Sequence, residues 1–224
     1  MPSFLVFSLA ASLGAMGELA GHERRGSLVW PGRAALIGLM GAALGIRRDG
    51  DFSWLEALEI SVAIFEAGVP LRDYHTVQTI PSATVKQPNS RPEALRAAGH
   101  RANTTITLRD YRAGPLYGVV VSGEGLAAIA AALRCPQFTL YLGRKSCPLS
   151  APTGARLVEA DTTEAALAQV RLPPWWAGAI AHTLVETDPG GETVNDMPLD
   201  RARWHHGPRR VAMRRVRIAP GAPA

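Results

Sequence analysis

The sequence predicts an α+β protein built on a split β-α-β (ferredoxin-like) plan, with a long insertion and a small, mostly-β C-terminal domain. Over the first 150 residues, strand-like and helical segments follow one another in the order β-α-β, insertion, β-β-α-β. Residues 68–103 show no sustained strand or helix periodicity. Beyond residue 150 the strand-like patterns are short and only one short helix is indicated. We therefore expect two domains, residues 1–150 and 151–224.

The first β-α-β unit follows from local patterns. Residues 4–10 are a short apolar run without a basic leading segment, which favours a buried strand over a secretory signal or a membrane span. Residues 31–45 predict a helix with proline in its first turn and glycine at its end. Residues 58–65 are rich in β-branched and aromatic side chains and predict the second strand.

The remaining elements come after the insertion. Residues 104–111 and 116–121 predict two strands joined by a hairpin-like connection at 112–115. An alanine-rich helix over 124–133 and a strand over 138–142 complete the first domain. In the second domain we expect a helix at 163–170 and strands at 180–186 and 211–218.

The insertion over residues 68–103 reads as an irregular loop. Loops of this length inside a compact domain are usually functional or disordered. It contains the motif DYHTVQ at residues 73–78 and several cations: Arg72, Lys86, Arg91, Arg96 and Arg101. A single acid, Glu93, accompanies the last three of them.

The charge composition favours an acidic partner such as nucleic acid. The chain has 24 Lys and Arg against 19 Asp and Glu, a net charge of +5, and only two of its cations are lysines. Guanidinium groups bind phosphates through two parallel hydrogen bonds and stack on bases. A GC-rich genome would also enrich arginine, so the placement of the charges is more informative than their number.

Basic residues recur beside elements that are able to hold them in fixed positions. Gly143, Arg144, Lys145 and Ser146 directly follow the strand predicted at 138–142. Arg24, Arg25 and Ser27 precede the helix whose start carries Gly32 and Arg33, and we expect free N–H groups at that start to favour an anion. With the seven arginines and no acid after residue 200, this distribution predicts a groove for an RNA or DNA backbone.

One segment also permits a catalytic interpretation. Asp73, Tyr74 and His75 are consecutive, and a histidine with Tyr74 or Tyr111 would support metal-independent cleavage of RNA. The histidines lack metal-ligand spacing, and no nucleotide-binding loop or nucleophile elbow is present. We therefore expect RNA contact or loop anchoring rather than catalysis here, and no cofactor or metal. Cys135 and Cys147 are too few for a disulfide framework and predict buried thiols in a reducing cytoplasm.

Five motifs in order resemble one protein family. They are ERRGS (23–27), WPGRAALIGLMGAALGIRRD (30–49), DYHTVQ (73–78), ITLRDY (106–111) and LYLGRKSCP (140–148). In this order they resemble the CRISPR-associated CasD (Cas-five) family of the RAMP superfamily, in its type I-E form. The tail is similar more loosely, through VNDMP at 194–198 and the arginine-rich segment after it. Gly32 departs from the serine or threonine that is more usual in the family.

The resemblance implies a non-catalytic subunit of Cascade, the RNA-guided surveillance complex of antiviral defence. Such a subunit caps the 5′ handle of the CRISPR RNA (crRNA). It also links the Cascade backbone subunits to the large subunit, and meets target DNA through the assembled complex. The insertion at 68–103 would be a β-hairpin thumb. Because a related subunit in type I-C systems is the nuclease, a metal-independent endoribonuclease stays the alternative, and a general nucleic-acid chaperone is a third reading.

The residues expected to bind RNA combine the basic turns with the polar positions of the motifs. They are Arg24, Arg25, Ser27, Gly32, Arg33, Tyr74, His75, Gln78, Arg101, Arg109, Tyr111, Gly143, Arg144, Lys145 and Ser146.

Overall fold

A computed structural model of the chain describes residues 1–18, 23–81, 83–84, 90–201, 203 and 205–221. Strands and helices follow in this order: β1 (Ser3–Ala10), β2 (Leu13–Gly14), β3 (Arg24–Arg25), α1 (Arg33–Leu44), α2 (Ser53–Glu56), β4 (Glu59–Glu66), β5 (Val69–Thr79), α3 (Arg91–Ala98), β6 (Asn103–Ala113), β7 (Leu116–Ser122), α4 (Leu126–Arg134), β8 (Arg156–Glu159), α5 (Thr163–Leu167), β9 (Ala181–Asp200) and β10 (His205–Ile218).

The main sheet has six strands in the order β10-β9-β4-β7-β1-β8, and every neighbouring pair is antiparallel. Since β1 and β4 both run antiparallel to β7, which lies between them, these two strands are parallel to each other and α1 connects them. The protein is thus a mixed α/β fold with mostly antiparallel sheets. Strands from both sides of residue 150 share this sheet.

Both faces of the main sheet are buried around β1, which explains why β1 is apolar at nearly every position. Leu5, Phe7 and Leu9 pack with Leu36 and Met40 of α1 in one cluster. The alternate residues point the other way, where a second cluster contains Val6, Val120, Leu184 and Leu167 of α5. The strand predicted at the N terminus and the helix predicted at 31–45 are both confirmed.

A second, smaller sheet is built around β6. Strand β5 pairs with β6 along its full length, from Val69 opposite Ala113 to Thr79 opposite Asn103. On the other edge of β6, β2 pairs antiparallel and β3 pairs parallel. The irregular loop expected over 68–103 is therefore wrong for residues 69–79 and 91–98, which are strand and helix. An exposed two-stranded ribbon buries neither face, so it leaves no apolar alternation in the sequence to reveal it. Lys86 lies outside the described residues.

The hairpin expected between residues 104–111 and 116–121 is also wrong. Strand β6 pairs in the smaller sheet, while β7 lies between β1 and β4 in the main one. Gly114, with φ of 68°, and Pro115 carry the chain from one sheet to the other. The sequence signal for a turn was correct, but a turn does not specify which strands pair across it.

The strand expected at 138–142 is wrong as well. Tyr141 makes a single β-bridge with Pro148, and the backbone N–H of Leu142 donates to the carbonyl of Cys147 at 2.8 Å. The chain reverses here instead of extending, and the free edge of β1 is taken by β8. Burial of Leu140 and Leu142 produced the strand-like pattern.

Candidate nucleic-acid interface

Strand β6 gathers basic side chains from three parts of the chain. Arg109 lies opposite Arg25 of β3 on one edge and opposite Asp73 of β5 on the other. Paired residues on neighbouring strands share a face of the sheet. Tyr111, two residues beyond Arg109 on the same strand, points to this face as well, about 7 Å further along.

The loop after Leu142 reaches the same face. The guanidinium carbon of Arg144 lies 4.7 Å from the ring centroid of Tyr111, a cation–π contact. Tyr111 is only 9% exposed, and its ring packs among Ala15 and Cys147. Arg144 therefore lies on a rigid aromatic support, next to the stretch of β6 that carries Arg109.

Gly143 and Ser27 hold this loop in place rather than facing outward. Gly143 has φ of 85°, and its backbone lies so close to the carbonyl of Ala15 that a side chain at this position would overlap that oxygen. The N–H of Ala15 donates to the carbonyl of Leu142 at 3.1 Å. The Ser27 hydroxyl in turn accepts from the N–H of Met16 at 3.1 Å and donates to the carbonyl of Leu28 at 3.1 Å.

Two of these arginines carry buried N–H groups without a partner among the described residues. They are the Nε of Arg109 and one terminal nitrogen, Nη1, of Arg144. A buried polar group without a hydrogen bond is costly, typically about 1–3 kcal/mol and more when charged. Lys145 and Ser146 follow on the exposed rim of the loop. We call Arg25, Arg109, Arg144 and Lys145 the cradle, because their unmet donors and charges suit a phosphate.

On the opposite face of the smaller sheet, a carboxylate of the sheet itself neutralises the positive charge of the arginines. Asp110 accepts hydrogen bonds from Arg72 at 2.7 Å and from Arg24 at 2.9 Å, which ties β3, β5 and β6 together. The hydrogen bond from Arg72, with that from Arg24, lowers the pKa of the Asp110 carboxyl to about 2. The same contact raises the pKa of Arg72. Arg24 was expected to bind RNA, but its charge is shared with this carboxylate.

Tyr74 and His75 are neighbours in sequence but point to opposite faces of the hairpin. His75 lies on the Arg109 face, with its Nε2 3.2 Å from the Oδ2 of Asp73. Tyr74 is 68% exposed on the Asp110 face. Gln78 is paired with Thr104, five residues from Arg109 along β6 or roughly 17 Å away. Arg101 is exposed and lies just before the first residue of β6.

The start of α1 is already occupied by a carboxylate of the same chain. The Oδ2 of Asp196, on β9, accepts from the backbone N–H of Arg33 at 2.8 Å, and both its oxygens accept from Arg209 of β10 at 2.7 and 2.9 Å. Asp196 is 5% exposed. A Cβ on Gly32 would lie 3.0 Å from the Asp196 side chain, so glycine permits this approach. The expectation of free N–H groups at this helix start is wrong, because the tail of the chain supplies the anion.

The Arg33 side chain also points inward. It donates to the backbone carbonyls of Glu56 and Leu58 at 2.6 and 2.8 Å, fixing the chain that leads into β4. Burial, together with the positive charge of Arg209, lowers the pKa of Arg33. Gly32 and Arg33 are thus engaged by other parts of the chain and are not counted in the cradle.

Sequence reasoning missed Asp110, Asp196 and Arg209, although each shapes the electrostatics of this region. Asp110 lies inside a motif that was noted, but its partners are 38 and 86 residues away. Asp196 was noted only within the VNDMP motif, and Arg209 only as part of the basic tail. Spacing along the chain carries no signal for such distant pairs.

Three further observations concern the described residues only. No group of three His, Cys, Asp or Glu side chains is placed to hold a metal ion there. None of the helices in these ranges is long and apolar enough to cross a membrane. Cys147 is buried as expected, whereas Cys135 is exposed, at the end of α4.

Several known proteins are similar to this chain in sequence and in fold. The family model described as CRISPR-associated protein (Cas_Cas5) matches residues 4–212. The CRISPR system Cascade subunit CasD of Escherichia coli (strain K12) is 30% identical over 184 residues, covering 75% of this chain and 76% of that protein. A chain of a solved CRISPR RNA-guided surveillance complex is 25% identical with a TM-score of 0.71, covering 98% and 95% of the two chains.

A solved structure described as a Cas protein is similarly close. It is 26% identical with a TM-score of 0.70, and the match covers 98% of this chain and all of that one. The chain combines an antiparallel sheet with a basic strand edge, and solved Cas proteins match 98% of its length. These observations define it as a CRISPR-associated protein. The chain belongs to the CRISPR-associated Cas5 family.

Proposed function

We propose that this chain is a non-catalytic subunit of a type I-E Cascade complex and that it caps the 5′ handle of the crRNA. The E. coli relative is a Cascade subunit, and a solved relative is part of an RNA-guided surveillance complex. The single observation that carries the proposal is the cradle. It brings cations from three chain segments around one stretch of β6, and two of them have buried N–H groups for which no described residue is a partner.

The antiparallel order β8-β1-β7-β4 supports a ferredoxin-like RAMP unit, and the hairpin of β5 and β6 fits the role of its thumb. In this proposal the thumb projects toward a Cascade backbone subunit and the guide, and another face docks the large subunit. Target DNA is met only through the assembled complex, in the cytoplasm. A domain boundary near residue 150 stays a prediction that limited proteolysis would test.

Binding to handle RNA tests the proposal directly. Arg109→Ala with Arg144→Ala should weaken binding and reduce the slope of log affinity against log salt by about 0.7 for each lost phosphate contact. The double variant Arg134→Ala with Arg156→Ala removes the same charge from the β1 and β8 side of the main sheet and serves as control. Equal binding by the cradle variant and the wild type would contradict the proposal. Equal competition by unrelated RNA would point to a general nucleic-acid chaperone instead.

One observation favours a metal-independent endoribonuclease as second candidate: the His75 imidazole is paired with the Asp73 carboxylate on the cradle face. Its expected helpers are poorly placed, because Tyr74 points to the opposite face and Tyr111 is covered by Arg144. Incubation of the protein with repeat RNA in chelator decides between the two. Cleavage at one position that disappears in His75→Ala would establish the nuclease.

A further inference from the structure

The end of β10 carries two arginines that no part of the proposed handle site uses. Arg215 and Arg217 are both exposed. Val216 and Ile218, which alternate with them, pack against the second core cluster. Arg215 points to the other face of the main sheet, because it is in register with Thr183 and so with Ile64, which packs against the first core cluster. Arg217 lies in the irregular stretch of β10 between Arg215 and Ile218, and it is flanked by the two residues that face the second cluster.

The carboxylates that pair with this end of β10 lie on the opposite face. Arg214 pairs with Glu164 of α5 at 2.6 Å and with Glu186 of β9 at 3.0 Å. These contacts raise the pKa of Arg214, which stays charged and fully engaged. Within the described part of the chain, neither Arg215 nor Arg217 has a carboxylate within 4.0 Å. Their positive charge is therefore uncompensated at the surface.

The two arginines border a part of the sheet surface that has both polar and apolar side chains. Arg215 is in register with Thr183 of β9, which is in register with Ile64 of β4. Both neighbours are half-buried, and Met213 on the same face of β10 is 51% exposed. We call Ile64, Thr183, Met213, Arg215 and Arg217 the β10 surface. Such a surface suits single-stranded nucleic acid, because the cations can bind its phosphates while the hydroxyl and apolar groups contact its unstacked bases.

The β10 surface lies at the same end of the main sheet as the base of the β5 and β6 hairpin. Ala10, Leu116 and Glu66 form the last row of that end, directly before the hairpin begins. Arg215 is two strand spacings from Ile64, roughly 10 Å. A strand of nucleic acid leaving the hairpin base is thus within reach of both arginines.

We propose that the β10 surface is a second binding site for single-stranded RNA. It contacts the phosphates of nucleotides that continue from those held at the cradle, and so rests on the proposed function. A single strand that spans both sites gains two or more phosphate contacts that a short one lacks. The alternative reading is that the arginines only protect an edge strand, since charged side chains there prevent pairing with another chain.

The experiment compares two RNAs, one of roughly 4 nucleotides and one of roughly 15, which bracket known single-strand site sizes. The variant is Arg215→Ala with Arg217→Ala, and the charge-matched control is again Arg134→Ala with Arg156→Ala. We expect the variant to bind the short RNA like the wild type. For the long RNA its affinity should fall, and its salt slope should decrease by about 1.4 for two lost contacts.

Each result separates the inference from the proposed function. Unchanged binding of the long RNA, or an equal loss in the control, overturns the inference and leaves the cradle intact. Self-association of the variant on a sizing column without loss of long-RNA affinity assigns the arginines to edge protection and also overturns it. If the wild type binds neither RNA, the proposed function fails and this inference with it.

Discussion

Tyr111→Leu should weaken RNA binding even though the Tyr111 side chain is only 9% exposed. The ring supports the guanidinium of Arg144, whose carbon lies 4.7 Å from its centroid. Leucine keeps an apolar side chain between Ala15 and Cys147 but removes the π face. Arg144 would then be free to leave its position in the cradle, where its Nη1 is buried.

The expected loss follows from the contact that is removed. A partly desolvated cation–π contact contributes about 0.5–2 kcal/mol. If all of this free energy serves to position Arg144 for a phosphate, the affinity of the variant for RNA falls roughly 2–30-fold. Tyr111→Phe keeps the ring and should bind RNA like the wild type.

Fluorescence anisotropy with labelled handle RNA measures the loss, and a double-mutant cycle assigns it. In an Arg144→Ala background, Tyr111→Leu should cost nothing further, because the side chain that it positions is already absent. An equal loss in both backgrounds would mean that Tyr111 acts through general folding, and the positioning role would be refuted. Circular dichroism at the assay temperature verifies that each variant is folded.

Two further predictions concern the carboxylates that the fold buries or pairs. Asp196→Ala should lower the free energy of unfolding by about 3–5 kcal/mol in urea denaturation, because it leaves the Arg209 charge buried and α1 uncapped. Replacing both partners with apolar residues should recover most of that loss, and a loss under about 1 kcal/mol for the single variant contradicts the reasoning. The pKa of Asp110 is lowered from 3.8 to about 2, so its contribution to stability is present above the unfolded pKa and lost as pH falls through the folded one. The difference in unfolding free energy between wild type and Asp110→Asn should hold down to about pH 4 and shrink below it. A difference that stays constant as pH falls from about 5 to about 2 would mean that the carboxylate is not held by Arg72 and Arg24.

Much of the architecture was predictable because it depends on local patterns. The apolar run at β1 and the proline and glycine around α1 located those elements within a few residues. The residue patterns missed strand β5 because an exposed ribbon lacks an apolar face, and only the family resemblance implied a hairpin there. The pairing of β6 with β5, rather than with β7, was missed because a turn between two strands does not fix their partners.

Single arginines of the basic site also show which features the sequence predicted and which the fold decided. Arg24 and Arg25 are equivalent by sequence, yet β3 turns one toward Asp110 and the other toward Arg109. Arg33 looked like a phosphate ligand, but its side chain holds the backbone at Glu56 and Leu58. Arg144 was noted from its motif and stays a prediction as an RNA contact, whereas its contact with Tyr111 spans 33 residues and left no trace in spacing.

The sequence by itself determined the first β-α-β unit, most of the buried segments and the motifs of the family, because burial and turn chemistry act over a few neighbouring residues. Only the tertiary structure decided which arginines stay available to a ligand. That choice depends on whether a carboxylate or carbonyl from a distant strand comes within hydrogen-bond reach. For Arg24, Arg33 and Arg209 one does; for the buried N–H groups of Arg109 and Arg144 no described residue does.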